Sequence, residues 1–156
     1  CLAAHTPSND DASDASESVQ ESTSTTRHTR DHLVGRGGLT LTAEAMRNHV
    51  RDGTVQAAAC GLLANVVTAG NDVANDAKTA AVRTKAGQEL GIIPLVVAAL
   101  RAHRDNGAVA RYGCAALGGL TAANDDAGGN GAAVGEAGGI EAVLDVLGRY
   151  GGAVRR

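Results

Sequence analysis

Gly91-Ile92-Ile93-Pro94-Leu95-Val96-Val97-Ala98-Ala99-Leu100-Arg101-Ala102-His103 is the stretch on which the reading of this chain turns. A glycine opens it, a proline falls in the first turn, apolar residues follow, and Arg101 and His103 close it. Glycine suits the left-handed residue that ends a preceding helix. Proline is tolerated where an N–H has no helical partner, and cations suit the negative end of the helix dipole. The same unit stands 54 residues earlier, as Gly37-Gly38-Leu39-Thr40-Leu41-Thr42-Ala43-Glu44-Ala45-Met46-Arg47-Asn48-His49. It opens again 47 residues later, as Gly138-Gly139-Ile140-Glu141-Ala142-Val143-Leu144-Asp145-Val146-Leu147. The first match runs on through Gly53 with Gly107, Val55 with Val109, Cys60 with Cys114 and Leu63 with Leu117. Repetition at this period points to helical units that bury their apolar stripes on one another.

Working outward, periodicity and breaks predict a short helix or turn over 28–36. They predict helices over 39–50, 53–68, 77–88, 92–103, 107–121, 130–136 and 139–149, with breaks at 69–75 and 122–129. Asp105-Asn106 is placed to cap the helix starting at Gly107. The stretch from Thr6 to about Asp31 is rich in Ser, Thr, Asp and Glu, and Val19 is its one aliphatic residue larger than Ala. Such sequence buries too little apolar surface to offset ordering entropy, and we expect it to be disordered. Cys1-Leu2-Ala3-Ala4 can be laid on Cys60 to Leu63 and on Cys114 to Leu117. The expected organisation is therefore 1–5 as the end of a preceding repeat helix, 6–31 as an insertion, 32–150 as repeats and 151–156 as a tail. We expect both ends to be cuts through a longer array.

Composition narrows the function classes. Aromatic residues are 1% of the 156, with no Trp, no Phe and two Tyr, against 21 Gly. Small apolar side chains bury little area each, so stacked short helices suit this chain better than one thick core. A net charge of −3 and a pI near 5.9 do not favour a nucleic-acid binder, which presents a basic patch or stripe. The three cysteines form no CxxC pair, which favours a reducing compartment; the expected location is intracellular, cytoplasmic rather than nuclear. The longest apolar run is too short to span a membrane.

These units resemble armadillo repeats. The resemblance rests on the turn Glu136-Ala137-Gly138-Gly139-Ile140, on Gly91 to Leu100 as a second helix, and on Asn106, Val109, Ala116, Leu117 and Leu120 as a third. The spacing of His103, Asn106, Val109, Gly113, Cys114 and Leu117 is similar to that in long armadillo arrays of the vacuolar-protein-eight and armadillo-repeat-six type. The 54-residue spacing exceeds the roughly 40–47 of such units, and the excess falls in a loop that tolerates insertion. The resemblance implies an all-α, right-handed α-solenoid with about two complete repeats and partial ones. It also implies a concave groove of third helices that binds extended peptides, often through Asn side chains. Asn65 holds that Asn position in its third helix and Gly119 holds it in the next; the family's frequent Trp is Gly61 and Ala115 here. Thr54, Ala58, Ala108 and Tyr112 face the groove at helical spacing. The expected contacts are Asn65, Tyr112, Gln56, Arg111 and Thr54.

The sharper chemical readings fare poorly against bland ones. Cys60 and Cys114 recur as small helix residues, and no second metal ligand lies at helical spacing from either. His49 and His103 recur at the end of a helix, where they suit its last carbonyls, and no carboxylate or nucleophile recurs with them. Gly128-Gly129-Asn130-Gly131 lacks the Gly-Lys-Ser/Thr of a phosphate loop. The expectation is a non-enzymatic scaffold that takes a protein or peptide partner, with no cofactor and no metal. The alternative is a regulatory armadillo segment of a larger ligase or kinase. Leu95, Val143 and Leu147 are expected to face absent neighbours, so the isolated chain should be marginally stable or self-associate through uncapped repeat ends. Sedimentation and thermal unfolding check this; a sharply melting monomer would contradict it.

Overall fold

The computed structural model describes residues 28–68, 77–122 and 129–151, and all eight elements of regular structure in them are helical. They are α1 (28–35), α2 (Gly38–Asn48), α3 (Gly53–Thr68), α4 (Ala77–Thr84, running on as a π-helical turn Lys85–Glu89), α5 (Ile92–Ala102), α6 (Gly107–Thr121), α7 (Asn130–Glu136) and α8 (Gly139–Gly151). No strand occurs among the described residues. Expectations for 1–27 and 152–156, and nearly all of those for the two breaks, fall outside them. One boundary moves: 28–31 belong to α1, not to the insertion. The tie is Arg30, which is buried and donates from Nη1 to Thr79 Oγ1 at 2.8 Å, so α1 docks on α4.

Three helix starts repeat one device. Gly37, Gly91 and Gly138 have φ of 78°, 61° and 72°, the only positive values among the described residues. Each stands at the turn between the first and the second helix of its unit. An L side chain there is strained by Cβ against the following carbonyl. Second helices also end alike: His49 and His103 have φ, ψ of −119°, 44° and −116°, 47°, and their N–H groups donate to Ala45 O and Ala99 O. Third helices start alike. Asp52 Oδ1 accepts from Thr54 N and Val55 N at 2.9 and 3.2 Å; Asn106 Oδ1 accepts from Ala108 N and Val109 N at 3.0 and 3.2 Å.

Contacts between units repeat as well. Arg47 Nη2 donates to Leu90 O at 2.8 Å, and Arg101 Nη2 to Gly138 O at 3.0 Å, each reaching the glycine turn of the next unit. His103 Nε2 lies 2.8 Å from Val50 O, and Tyr150 Oη donates to Arg104 O at 3.3 Å. His103 and Tyr150 hold one repeat position, as do Val50 and Arg104. The histidine thus ties its helix end to the preceding unit, where we expected it to serve its own last carbonyls. Arg83 and Asn130 share the position eight residues before the left-handed glycine, and both are buried. Arg83 donates to Val67 O from Nε and Nη2 at 3.1 and 2.9 Å. Asn130 Nδ2 donates to Leu120 O and Arg83 O, both at 3.0 Å. Each first helix is thereby pinned to the final carbonyls of the third helix before it, which would otherwise be orphaned.

The core threads all units. Leu39, Ala43 and Met46 of α2 and Ile93, Val97 and Leu100 of α5 are buried with Leu63 and Val67 of α3 and Val109 and Leu120 of α6. Each fully buried Leu or Ile contributes about 1.5–3 kcal/mol. Around Arg149, pairs with Asp105 at 2.9 Å and Asp145 at 3.7 Å are exposed and add little.

At Gly91 an added Cβ would meet nothing within 4 Å, so its conformation alone is at stake. Gly91→Ala should cost about 1–2 kcal/mol through the left-handed backbone. The measurement is the urea midpoint, which should fall with its slope unchanged.

Candidate functional site

α3 and α6, from successive units, pack side by side along their length. Small residues permit it. A Cβ on Gly119 would stand 2.5 Å from Val67 Cγ2 and 2.7 Å from Thr68 Cγ2, so α6 meets α3 there with no room for a side chain. A Cβ on Gly61 would stand 3.6 to 3.8 Å from Tyr112 ring atoms, so the ring lies over α3 at that glycine.

Burial at equivalent positions locates the open line of this face. Ala57 and Ala64 of α3 are buried, while their equivalents in α6, Arg111 and Gly118, are exposed. That flank of α3 is the one α6 covers. Conversely Asn65 is exposed and Gly119 is buried. Asn65 therefore lies on the flank of α3 that no described helix covers. The positions left open in both helices are Thr54 with Ala108 and Thr68 with Ala122, and Gly61 with Ala115 lies between them at the same seven-residue spacing.

The expected contact residues thus scatter. Thr54 is on the shared open line. Asn65 and Arg111 are exposed on opposite flanks. Tyr112 is half-buried between the helices; Arg111 Nη2 donates to its Oη at 2.7 Å, and the guanidinium carbon stands 4.7 Å from its ring centroid. Gln56 is 2% exposed and its Nε2 donates to Met46 O and His49 O, both at 2.9 Å. Its amide serves the C-terminal carbonyls of α2 and is turned away from solvent. Sequence reasoning named Ala115 only as the place of the family's Trp and missed Thr68 and Ala122; the seven-residue spacing from Thr54 and Ala108 was the available signal.

The line is smooth and uncharged. Thr68 Oγ1 donates to Ala64 O at 2.6 Å, so that hydroxyl is already engaged. Small residues leave room for a backbone to approach closely. Among the described residues no group of three or more His, Cys, Asp or Glu could hold a metal ion, and no helix is long and apolar enough to cross a membrane. Cys60 is fully buried and Cys114 partly so, both as free thiols. Burial, and then the neighbouring Cys114, push the Cys60 thiol up from 9.0 to about 11. Burial raises Cys114 as well.

A thiol raised in the native state keeps its proton while the unfolded chain loses it. Between pH 9 and about 11 the unfolded state binds fewer protons, so stability should fall as pH rises through that window. Chemical denaturation at stepped pH measures it, and Cys60→Ala should flatten the fall. Native alkylation at neutral pH should spare Cys60 until the chain unfolds, read by peptide mass mapping. No family model, curated protein or solved structure matches this chain.

Proposed function

We propose that this chain is a non-enzymatic scaffold that binds a protein segment in extended form along the α3–α6 face. In this reading the units form an armadillo-like right-handed solenoid, and α3 and α6 are neighbouring third helices on its concave side. The observation that carries the reading is the line Thr54–Gly61–Thr68 beside Ala108–Ala115–Ala122, open in both units at its two ends and crossed at Gly61 by the Tyr112 ring. A repeated, smooth strip suits a ligand that is itself repetitive, namely an extended backbone. Arg111, held against Tyr112, supplies a cation at one edge for an acidic residue of the ligand. Asn65 adds an exposed amide at the other edge. Recurrent caps and inter-unit ties support the role, because they hold the two helices rigidly for binding.

Selection of displayed random linear peptides against the full chain tests it. Enriched peptides should bind the parent and lose about tenfold or more in affinity for Ala115→Arg, which sets a long cation on the open line. Leu41→Lys, on the exposed face of α2, should leave binding intact. Absence of enrichment, or equal binding by Ala115→Arg, would remove the proposal.

A further inference from the structure

The whole chain carries a net charge of −3, yet its described residues hold eleven Lys and Arg against eight Asp and Glu, so the negative excess lies outside them. Much of it stands in one stretch, Asn9-Asp10-Asp11-Ala12-Ser13-Asp14-Ala15-Ser16-Glu17-Ser18-Val19-Gln20-Glu21-Ser22, and no Lys or Arg precedes Arg27. Ala and Ser fill most of the places between its carboxylates. The α3–α6 face has the opposite character. Along Gly53–Thr68 and Gly107–Thr121 there is no acidic side chain, and Arg111 is the one charged residue. Arg111 is exposed, and among the described residues no carboxylate pairs with it. Its guanidinium is oriented by the Tyr112 hydroxyl at 2.7 Å and by the Tyr112 ring below it. Arg51, also exposed, stands three residues before Thr54, at the positive end of the α3 dipole.

We infer that residues 9–22 of this chain are a resident ligand of its own α3–α6 line, held by their carboxylates and displaced when a partner segment binds. The inference rests on the reading of that line as a peptide-binding face. Charge selects the stretch: its carboxylates meet cations and no acidic side chain on either helix. Asp11, Asp14 and Glu17 recur at every third residue, so more than one register brings a carboxylate to Arg111. Tethering makes the contact effective. Thr, Gly and Ala bury little apolar area, so a free segment of small residues is held weakly there. A segment on the same chain is presented at an effective concentration of about a millimolar, which is enough to fill a weak site. The tether is also long enough. From Glu17 to residue 28, where α1 begins, an extended chain reaches at most about 36–40 Å. α1 docks on α4 through Arg30 and Thr79, α4 packs on both α3 and α6, and α6 with its 15 residues is only about 22 Å long.

The test is a nitroxide spin label on Ser16→Cys in the full chain carrying Cys1→Ser and Cys114→Ser, with Cys60 left in place because it is buried. Amide NMR signals of Thr54, Thr68 and Ala115 should broaden. That broadening should fall at least twofold when Asp10, Asp11 and Asp14 are changed to Asn and Glu17 and Glu21 to Gln. It should fall likewise with Arg111→Gln, and at about 0.5 M salt, where charges more than roughly 4 Å apart are screened. Broadening around α1, which the tether alone produces, should not change. Peptides from the selection described above should bind the neutralised chain about tenfold more tightly than the parent. Equal broadening in the parent and neutralised chains, or equal peptide affinity, would overturn the inference and leave the peptide-binding reading standing. An empty selection against both chains would remove that reading and the inference with it. Broadening that passes only from a spin-labelled copy to an isotope-labelled one would also overturn it, since the occupant would then belong to a second copy.

Discussion

The distance at which α6 can lie on α3 is the constraint on which the other placements depend. Gly119 has Val67 and Thr68 where a side chain would be, and Gly61 has the Tyr112 ring above it. A side chain at Gly119 would hold the helices apart, and the carbonyls at their ends would move. Arg83 and Asn130 reach those carbonyls from buried positions, at Val67 O and Leu120 O. Buried polar groups that lose partners are costly, so an outward shift of α6 would cost the Asn130–Leu120 bond as well as the apolar contact. Close packing and buried polar ties therefore enforce one another, in a protein with almost no aromatic mass to fill gaps.

Recurrence makes this economical. The left-handed glycine, the cap on the third helix and the arginine that reaches the next glycine turn occur at the same positions in successive units. The histidine that bonds to the preceding unit is replaced by Tyr150 at the last one, with the same carbonyl position as acceptor. A phenol and an imidazole are different chemistries of similar reach, and both can donate to a carbonyl. The same holds for Arg83 and Asn130. The fold preserves a donor at a place and leaves its side chain free to vary.

Differences between equivalent positions are as informative as likenesses. A residue buried in one unit and exposed in the next marks where a neighbour stands or is absent. That comparison separates the open line of α3 and α6 from their flanks. Gln56 shows the limit of sequence spacing: it lies on α3 close to Thr54, yet faces inward because the carbonyls of α2 end beside it.

Much of the architecture was legible in the order of residues. Helix limits from α2 to α8 agree with periodicity and caps to within a few residues, because glycine conformation, N-capping and apolar spacing are local effects. The polar ties were not legible, since nothing in the sequence near Arg83 or Asn130 says that a helix end lies within reach. The π-helical turn at Lys85–Glu89 was not legible either. Gly87 stands there against Asn130, with no space for a Cβ, and 43 residues separate the two. The sequence by itself determined which segments are helices and that they recur. Tertiary structure decided which faces stay open, because exposure depends on what packs against a residue and not on its own chemistry.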